Sequence, residues 1–94
     1  MEQEAKEIAE ILKVLSNENR LLIVCYLLQE PMTVSELNSK ISNLTQSALS
    51  QHLSILKAHK IVCSSKNGLS ITYSICDSRM RNVIKVLKEN YCSM

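Results

Sequence analysis

The chain predicts a mainly α-helical domain with one β-hairpin and a closing helix, and three observations carry that reading. Apolar residues recur at helical spacing through residues 2–58 and again through 78–92. Strict period-two alternation stands out in residues 69–75. The single glycine of the chain falls in Asn67-Gly68, immediately before that alternation, which is the strongest short-range signal for a hairpin. The 94 residues form one domain, 1–94, with no repeat, linker or low-complexity stretch.

Ile8, Ile11, Leu12 and Leu15 follow the i, i+3, i+4, i+7 rule and define a first helix over residues 2–15. Ser16 or Asn17 caps a second helix running through Leu28, which is apolar nearly all round and therefore central. Pro31 ends it, because proline lacks the N–H that a helix interior needs. Thr33 caps a short third helix with Glu36 three residues on, as in a capping box, and Val34, Leu37 and Ile41 are its inward positions. Ser42, Asn43 and Leu44 turn the chain, and Thr45 caps a fourth helix reaching about Ala58. On that helix Gln46, Ser47, Ser50, Gln51, Ser54 and Lys57 share one face, while Leu49, Leu53 and Leu56 share the other. Residues 33–58 therefore read as helix, turn and helix. Strands from Ile61 to Lys66 and from Leu69 to Ile75 make a hairpin over 61–75, with Leu69, Ile71, Tyr73 and Ile75 on one face and Ser70, Thr72 and Ser74 on the other. The register set by Asn67-Gly68 puts Cys63 opposite Thr72 and away from Cys76. Asp77 or Ser78 caps the last helix, 78–92, with Met80, Val83, Ile84, Leu87 and Tyr91 as its stripe. The order α-α-α-α-β-β-α, with a hairpin after a helix-turn-helix, is a winged helix-turn-helix.

Hydrophobic residues make up 46% of the chain and aromatic residues 3%, so the core is aliphatic. One chain of this size buries a marginal core, and the helices 2–15 and 78–92 carry more apolar side chains than that core can cover; a homodimer through these two helices is expected. The longest apolar run, Leu21 to Leu28, has eight residues, well short of the ~20 that span a bilayer, and the acidic N-terminus lacks a signal-peptide pattern, so a cytoplasmic protein is expected. Seven Glu against Lys6, Lys13 and Arg20 give residues 1–36 a net charge of −4. Eight Lys or Arg against Asp77 and Glu89 give residues 37–94 a net charge of +6, a distribution suited to presenting the second half to a polyanion. Short polar side chains on the outer face of the fourth helix suit close approach to base edges in a major groove. Gln46, Ser47, Ser50, Gln51, Ser54 and Lys57 are therefore candidate double-stranded DNA contacts, joined by Lys66 and Asn67 at the wing tip. A twofold dimer would set two such helices ~34–36 Å apart on a near-palindromic operator. A protein-interaction module is the competing reading, but the face lacks the aromatic anchors of an interface core. An enzyme is not expected: there is no Cys/His/Asp constellation, Gly-rich phosphate loop or acid pair.

The segments Leu15-Ser-Asn-Glu-Asn-Arg-Leu-Leu22, Ser47-Ala-Leu-Ser-Gln-His-Leu53 and Lys60-Ile-Val to Ile71-Thr-Tyr-Ser, in this order of elements, resemble the ArsR family of winged-helix repressors over residues ~8–92. The resemblance implies a dimeric repressor whose recognition helix carries Gln46, Ser47, Ser50 and Gln51 to DNA, with Lys66 and Asn67 touching the backbone. Ser64 and Ser65 stand where many relatives have arginines, which implies fewer phosphate contacts. Family members are switched by metals or by sulfur chemistry. Ser35 occupies the position where arsenic and cadmium sensors need cysteine, and the last helix lacks zinc ligands, so neither a metal site nor a cofactor is expected. A metal-responsive repressor with an unrecognised site is the alternative. Cys25, in Leu22-Ile-Val-Cys-Tyr26, and Cys92, after Tyr91, match in register the thiol- and persulfide-sensing, HlyU-like branch. That match implies that reactive sulfur species or oxidant join Cys25 to Cys92 within a protomer and weaken DNA binding. Read without the resemblance, Cys25 in its apolar run is a small buried hydrophobe. Cys63 and Cys76 read as packing residues, His52 as a helix-packing residue and His59 as a solvated helix end.

Overall fold

The computed structural model describes residues 1–92 and orders them as α1 (Glu2–Leu15), α2 (Glu18–Gln29), β1 (Met32–Thr33), α3 (Val34–Lys40), α4 (Gln46–Ala58), β2 (Val62–Asn67), β3 (Ser70–Ile75) and α5 (Ser78–Tyr91). Polar caps fix where the helices begin. Asn17 Oδ1 accepts from the N–H groups of Asn19 and Arg20 at 3.0 and 3.1 Å, so Asn17 rather than Ser16 starts α2. Thr33 and Glu36 close the expected capping box, with Thr33 Oγ1 accepting from Glu36 N–H at 3.2 Å and Glu36 Oε1 accepting from Thr33 N–H at 2.9 Å. Thr45 Oγ1 accepts from Ala48 N–H at 3.0 Å and starts α4. Glu30 leaves α2 in an extended conformation, as the residue before a proline must.

One aliphatic core results. Ile23, Val24 and Leu27 of α2 meet Leu37 and Ile41 around α3, Leu49, Leu53 and Leu56 of α4, Ile61 and Val62 at the wing base, and Ile84 of α5, all essentially without solvent access. The end of α4 is a Schellman motif. Ile61 N–H donates to Leu56 O and Lys60 N–H to Lys57 O, both at 3.0 Å, with Lys60 at φ 61° in the left-handed position where glycine is usual.

The sheet runs β1-β3-β2 and corrects the expected hairpin in three respects. First, β1 adds a third strand, pairing Met32 with Tyr73 and Thr33 with Thr72. Second, Asn67 pairs with Ser70, so the two loop residues are Gly68 and Leu69, with Gly68 at φ 61° in the first loop position, where type II′ turns place glycine. Cys63 thus faces Ser74 rather than Thr72. Burial explains the choice: this register sets Val62 directly opposite Ile75, 1% and 5% exposed, whereas the expected one would have set Ile75 opposite Lys60. Third, the apolar face of β3 is buried only at its base. Tyr73 is half-buried, Ile71 is 44% exposed and Leu69 fully so, because the wing projects beyond the core.

The terminal helices leave apolar side chains uncovered, as expected: Ile8 and Leu12 on α1 and Val83, Val86, Leu87 and Tyr91 on α5. Between the two helices lies a groove of about 350 Å³ lined by Ile8, Ile11, Leu12, Met80 and Val83 among others. The last helix stops one residue earlier than expected, with Cys92 as its cap donating its N–H to Lys88 O at 2.9 Å.

Candidate nucleic-acid interface and thiol pair

The leucines of α4 fix which way the helix turns. With Leu49, Leu53 and Leu56 fully buried, the opposite face must point outward, and Gln46, Ser47, Ser50, Gln51, Ser54 and Lys57 are all exposed. The angle between α3 and α4 is held by a residue that sequence reasoning missed. Asn38 Nδ2 donates to the carbonyls of Leu44 and Ile41 at 2.8 and 3.4 Å, so one side chain spans the turn. Asparagine late in a short helix, just before a polar turn, was the available signal.

Lys57 does more than face outward. Its ammonium donates to Ser64 Oγ at 2.7 Å and so braces α4 against β2. Lys66 and Asn67 are exposed at the distal end of β2, beside the loop. From Leu37 to Cys76 the chain carries Lys40, Lys57, Lys60 and Lys66 and no carboxylate, so this segment contributes only positive formal charge.

A second residue that the sequence reading did not single out is Arg20. Its Nε donates to Val14 O at 2.7 Å and a guanidinium nitrogen lies 3.4 Å from His52 Nδ1, on the inner side of α4. Burial, and then the Arg20 charge, hold the His52 pKa below its ordinary value of 6.5. His52 thus packs between α2 and α4, as expected, while His59 is an exposed helix cap with Nδ1 3.0 Å from Ile55 O.

Cys25 is half-buried on α2, packed against the core, and Cys92 is exposed at the end of α5. Burial pushes the Cys25 thiol up; the nearby Cys92 sulfur raises it further, and Lys88 opposes both. The two cysteines therefore lie within electrostatic range across the packed pair α2 and α5. Among the described residues no three His, Cys, Asp or Glu side chains converge as a metal site would require.

Residues 17–63 match the family model described as bacterial regulatory protein, arsR family. The chain is 36% identical over 92 residues to the transcriptional activator HlyU of Vibrio cholerae, covering 98% of this chain and 84% of that one. It is 33% identical over 93 residues to the biofilm growth-associated repressor of Xylella fastidiosa, covering 99% and 81%. The solved structure of HlyU from Vibrio cholerae superposes with a TM-score of 0.93 at 35% identity, covering 99% of this chain and all of that one.

Proposed function

Because the chain belongs to the ArsR family of bacterial regulatory proteins, whose members are DNA-binding transcriptional regulators and not enzymes, we propose that it is a sequence-specific repressor whose grip on its operator is set by Cys25 and Cys92. The observation that carries the DNA reading is the outer face of α4, six exposed polar or basic side chains locked in place by three buried leucines. Short Ser and Gln side chains allow the helix backbone to approach base edges closely, and Gln can bond an adenine edge in bidentate fashion. Lys57, Lys66 and Asn67 then act on the phosphate backbone, fixing register without reading sequence.

In this reading the uncovered faces of α1 and α5 pair two protomers about a twofold axis, and the two copies of α4 enter successive major grooves of a near-palindromic site. The dithiol sits where it can bias that arrangement, since Cys25 belongs to the central helix and Cys92 to the end of a dimer helix. One peroxide molecule takes two protons and two electrons from the two thiols, leaving a disulfide and two waters; a polysulfide instead leaves one or more of its sulfur atoms between them as a longer bridge, its remaining sulfur departing as hydrogen sulfide with the two electrons and the thiol protons. Either bridge ties α5 to α2 and favours one dimer geometry over another, a coupling of ~1–3 kcal/mol in typical allosteric systems. The exposure of Cys92 and its place near Cys25 across the packed helices α2 and α5 support this assignment. No helix among the described residues is long and apolar enough to cross a membrane, and a DNA-bound regulator works in the cytoplasm.

The test combines intact and peptide mass measurement with binding to upstream duplex, after separate treatment of reduced protein with polysulfide, peroxide and zinc. A Cys25–Cys92 bridge that forms as DNA is released supports the reading, and Cys25→Ser should bind DNA but ignore polysulfide. Release by zinc without covalent change would replace the thiol switch with metal sensing. Duplex binding with no salt dependence would defeat the repressor assignment itself.

A further inference from the structure

The register of the wing brings together two other cysteines. Val62 pairs with Ile75 and Cys63 with Ser74, so Cys76, two residues beyond Ser74, lies diagonal to Cys63 on the sheet face opposite Val62 and Ile75. Cys63 Sγ has the Ser74 hydroxyl at 3.7 Å, and the Cys76 thiol is near enough to interact with it. Neither cysteine packs against the aliphatic core, contrary to the packing role expected from sequence; Cys63 is half-buried and Cys76 exposed. The two thiols are neighbours, one open to solvent and neither packed against the core.

We propose that Cys63 and Cys76 form a second dithiol, which a small-molecule disulfide closes to an intramolecular disulfide at the wing base. The chemistry is two successive exchanges. One cysteine thiolate attacks the reagent, forming a mixed disulfide and expelling one small thiolate. The second cysteine thiolate then attacks the protein sulfur of that mixed disulfide and expels the other. The protein pair loses two protons and two electrons, and the reagent is reduced to two thiols. Partial desolvation at the wing base, followed by the hydrogen bond and charge of Cys63, holds the free Cys76 thiol up at about 11. Capping the Cys63 sulfur as a neutral mixed disulfide removes its hydrogen bond and charge and eases ionisation of Cys76, while the desolvation remains.

Closure also moves the chain. A diagonal pair on a regular antiparallel ladder has Cα atoms ~7–8 Å apart, beyond the ~4.4–6.8 Å of most disulfides. The last β2–β3 ladder pair is Val62 with Ile75, so Cys76 lies outside the ladder and can shift toward β2. Its neighbour Asp77 is the N-cap of α5, accepting from Arg79 and Met80 N–H at 2.9 and 3.3 Å, so the shift reaches the start of a terminal helix. A bridge that displaces backbone is readily reduced, which makes it a reversible modification rather than a structural staple.

The site is independent of the Cys25 and Cys92 reading, and either can fail alone. The experiment treats reduced protein, both unsubstituted and carrying Cys25→Ser with Cys92→Ser, with oxidised glutathione, followed by intact and peptide mass measurement. Both forms should yield a peptide pair linking Cys63 to Cys76 within one chain, with the double variant lighter by two hydrogens and carrying no glutathione. Cys63→Ser in the double variant should instead retain one glutathione on Cys76. The proposal is overturned if glutathione stays on Cys63 or Cys76 without cyclising, if both thiols remain free, or if the link joins two chains.

Discussion

Arg20 and His52 meet across α2 and α4, a guanidinium nitrogen 3.4 Å from His52 Nδ1, while Nε of the same arginine donates to the Val14 carbonyl at 2.7 Å. Val14 O belongs to the last turn of α1, where carbonyls lack helical partners. One side chain therefore satisfies the end of α1 and touches α4. Arg20→Ala should cost about 1.5–3 kcal/mol, the range for a hydrogen bond to a charged group, and so lower the melting temperature by roughly 6–24 °C in a domain of this size. Arg20→Lys should recover only part of this, since a lysine cannot donate in two directions from a fixed plane. An unchanged urea midpoint in the alanine variant would mean that the contact holds nothing.

His52 gives the fold a pH dependence of defined sign. Burial first, and Arg20 second, lower its folded-state pKa below the ordinary 6.5. As pH falls the unfolded chain therefore takes up this proton before the folded one does. The contribution is complete above about pH 6.5 and declines as pH drops through the folded value. Urea midpoints measured from pH 7.5 to 5 should fall on the acid side, and His52→Gln should flatten that limb. A variant with the same acid slope as the parent would assign the effect to other groups.

These contacts show where sequence reasoning stops. The caps at Thr33 and Thr45, the α2 cap to within Ser16 or Asn17, the outward face of α4 and the buried leucines behind it were legible because each depends on residues within one or two helical turns. Strand β1 was not, since two residues have no period and only their partners, Tyr73 and Thr72, make them a strand. The hairpin loop was displaced by one residue because Asn67-Gly68 speaks for a local turn, whereas the register follows the distant burial of Val62 against Ile75. Arg20 and Asn38 act through backbone carbonyls that no residue pattern reveals. The proximity of Cys63 and Cys76 was hidden by the same loop displacement.

Lys60 is the one non-glycine residue among those described with positive φ, at 61°. A left-handed conformation costs an L-residue roughly 1–2 kcal/mol, while glycine loses about 0.5–1 kcal/mol more backbone entropy on folding. Lys60→Gly should therefore stabilise the fold by up to about 1.5 kcal/mol, provided that the Ile61 to Leu56 hydrogen bond that ends α4 is kept. Thermal denaturation at low protein concentration checks this, and a lower melting temperature would mean that the lysine side chain makes a contribution beyond its backbone.

Base reading and backbone holding separate experimentally, because Gln51 lies on the exposed face of α4 and Lys66 at the far end of β2. If Gln51 reads a base edge, Gln51→Ala should weaken operator binding by about 1–3 kcal/mol and relax discrimination at one base pair, leaving the salt slope unchanged. Lys66→Ala should weaken binding to every duplex alike and reduce the slope of log affinity against log salt by about 1. The opposite change is also available on this wing. Ser65 is exposed on β2 and tied to no other side chain, unlike Ser64, which accepts from Lys57. Ser65→Arg should steepen the salt slope by about 0.9 and tighten binding at low salt, restoring a phosphate contact that two serines forgo. If Ser65→Arg instead leaves both slope and affinity unchanged, the wing does not reach the backbone, and the DNA contacts must come from α4 and its Lys57 brace alone.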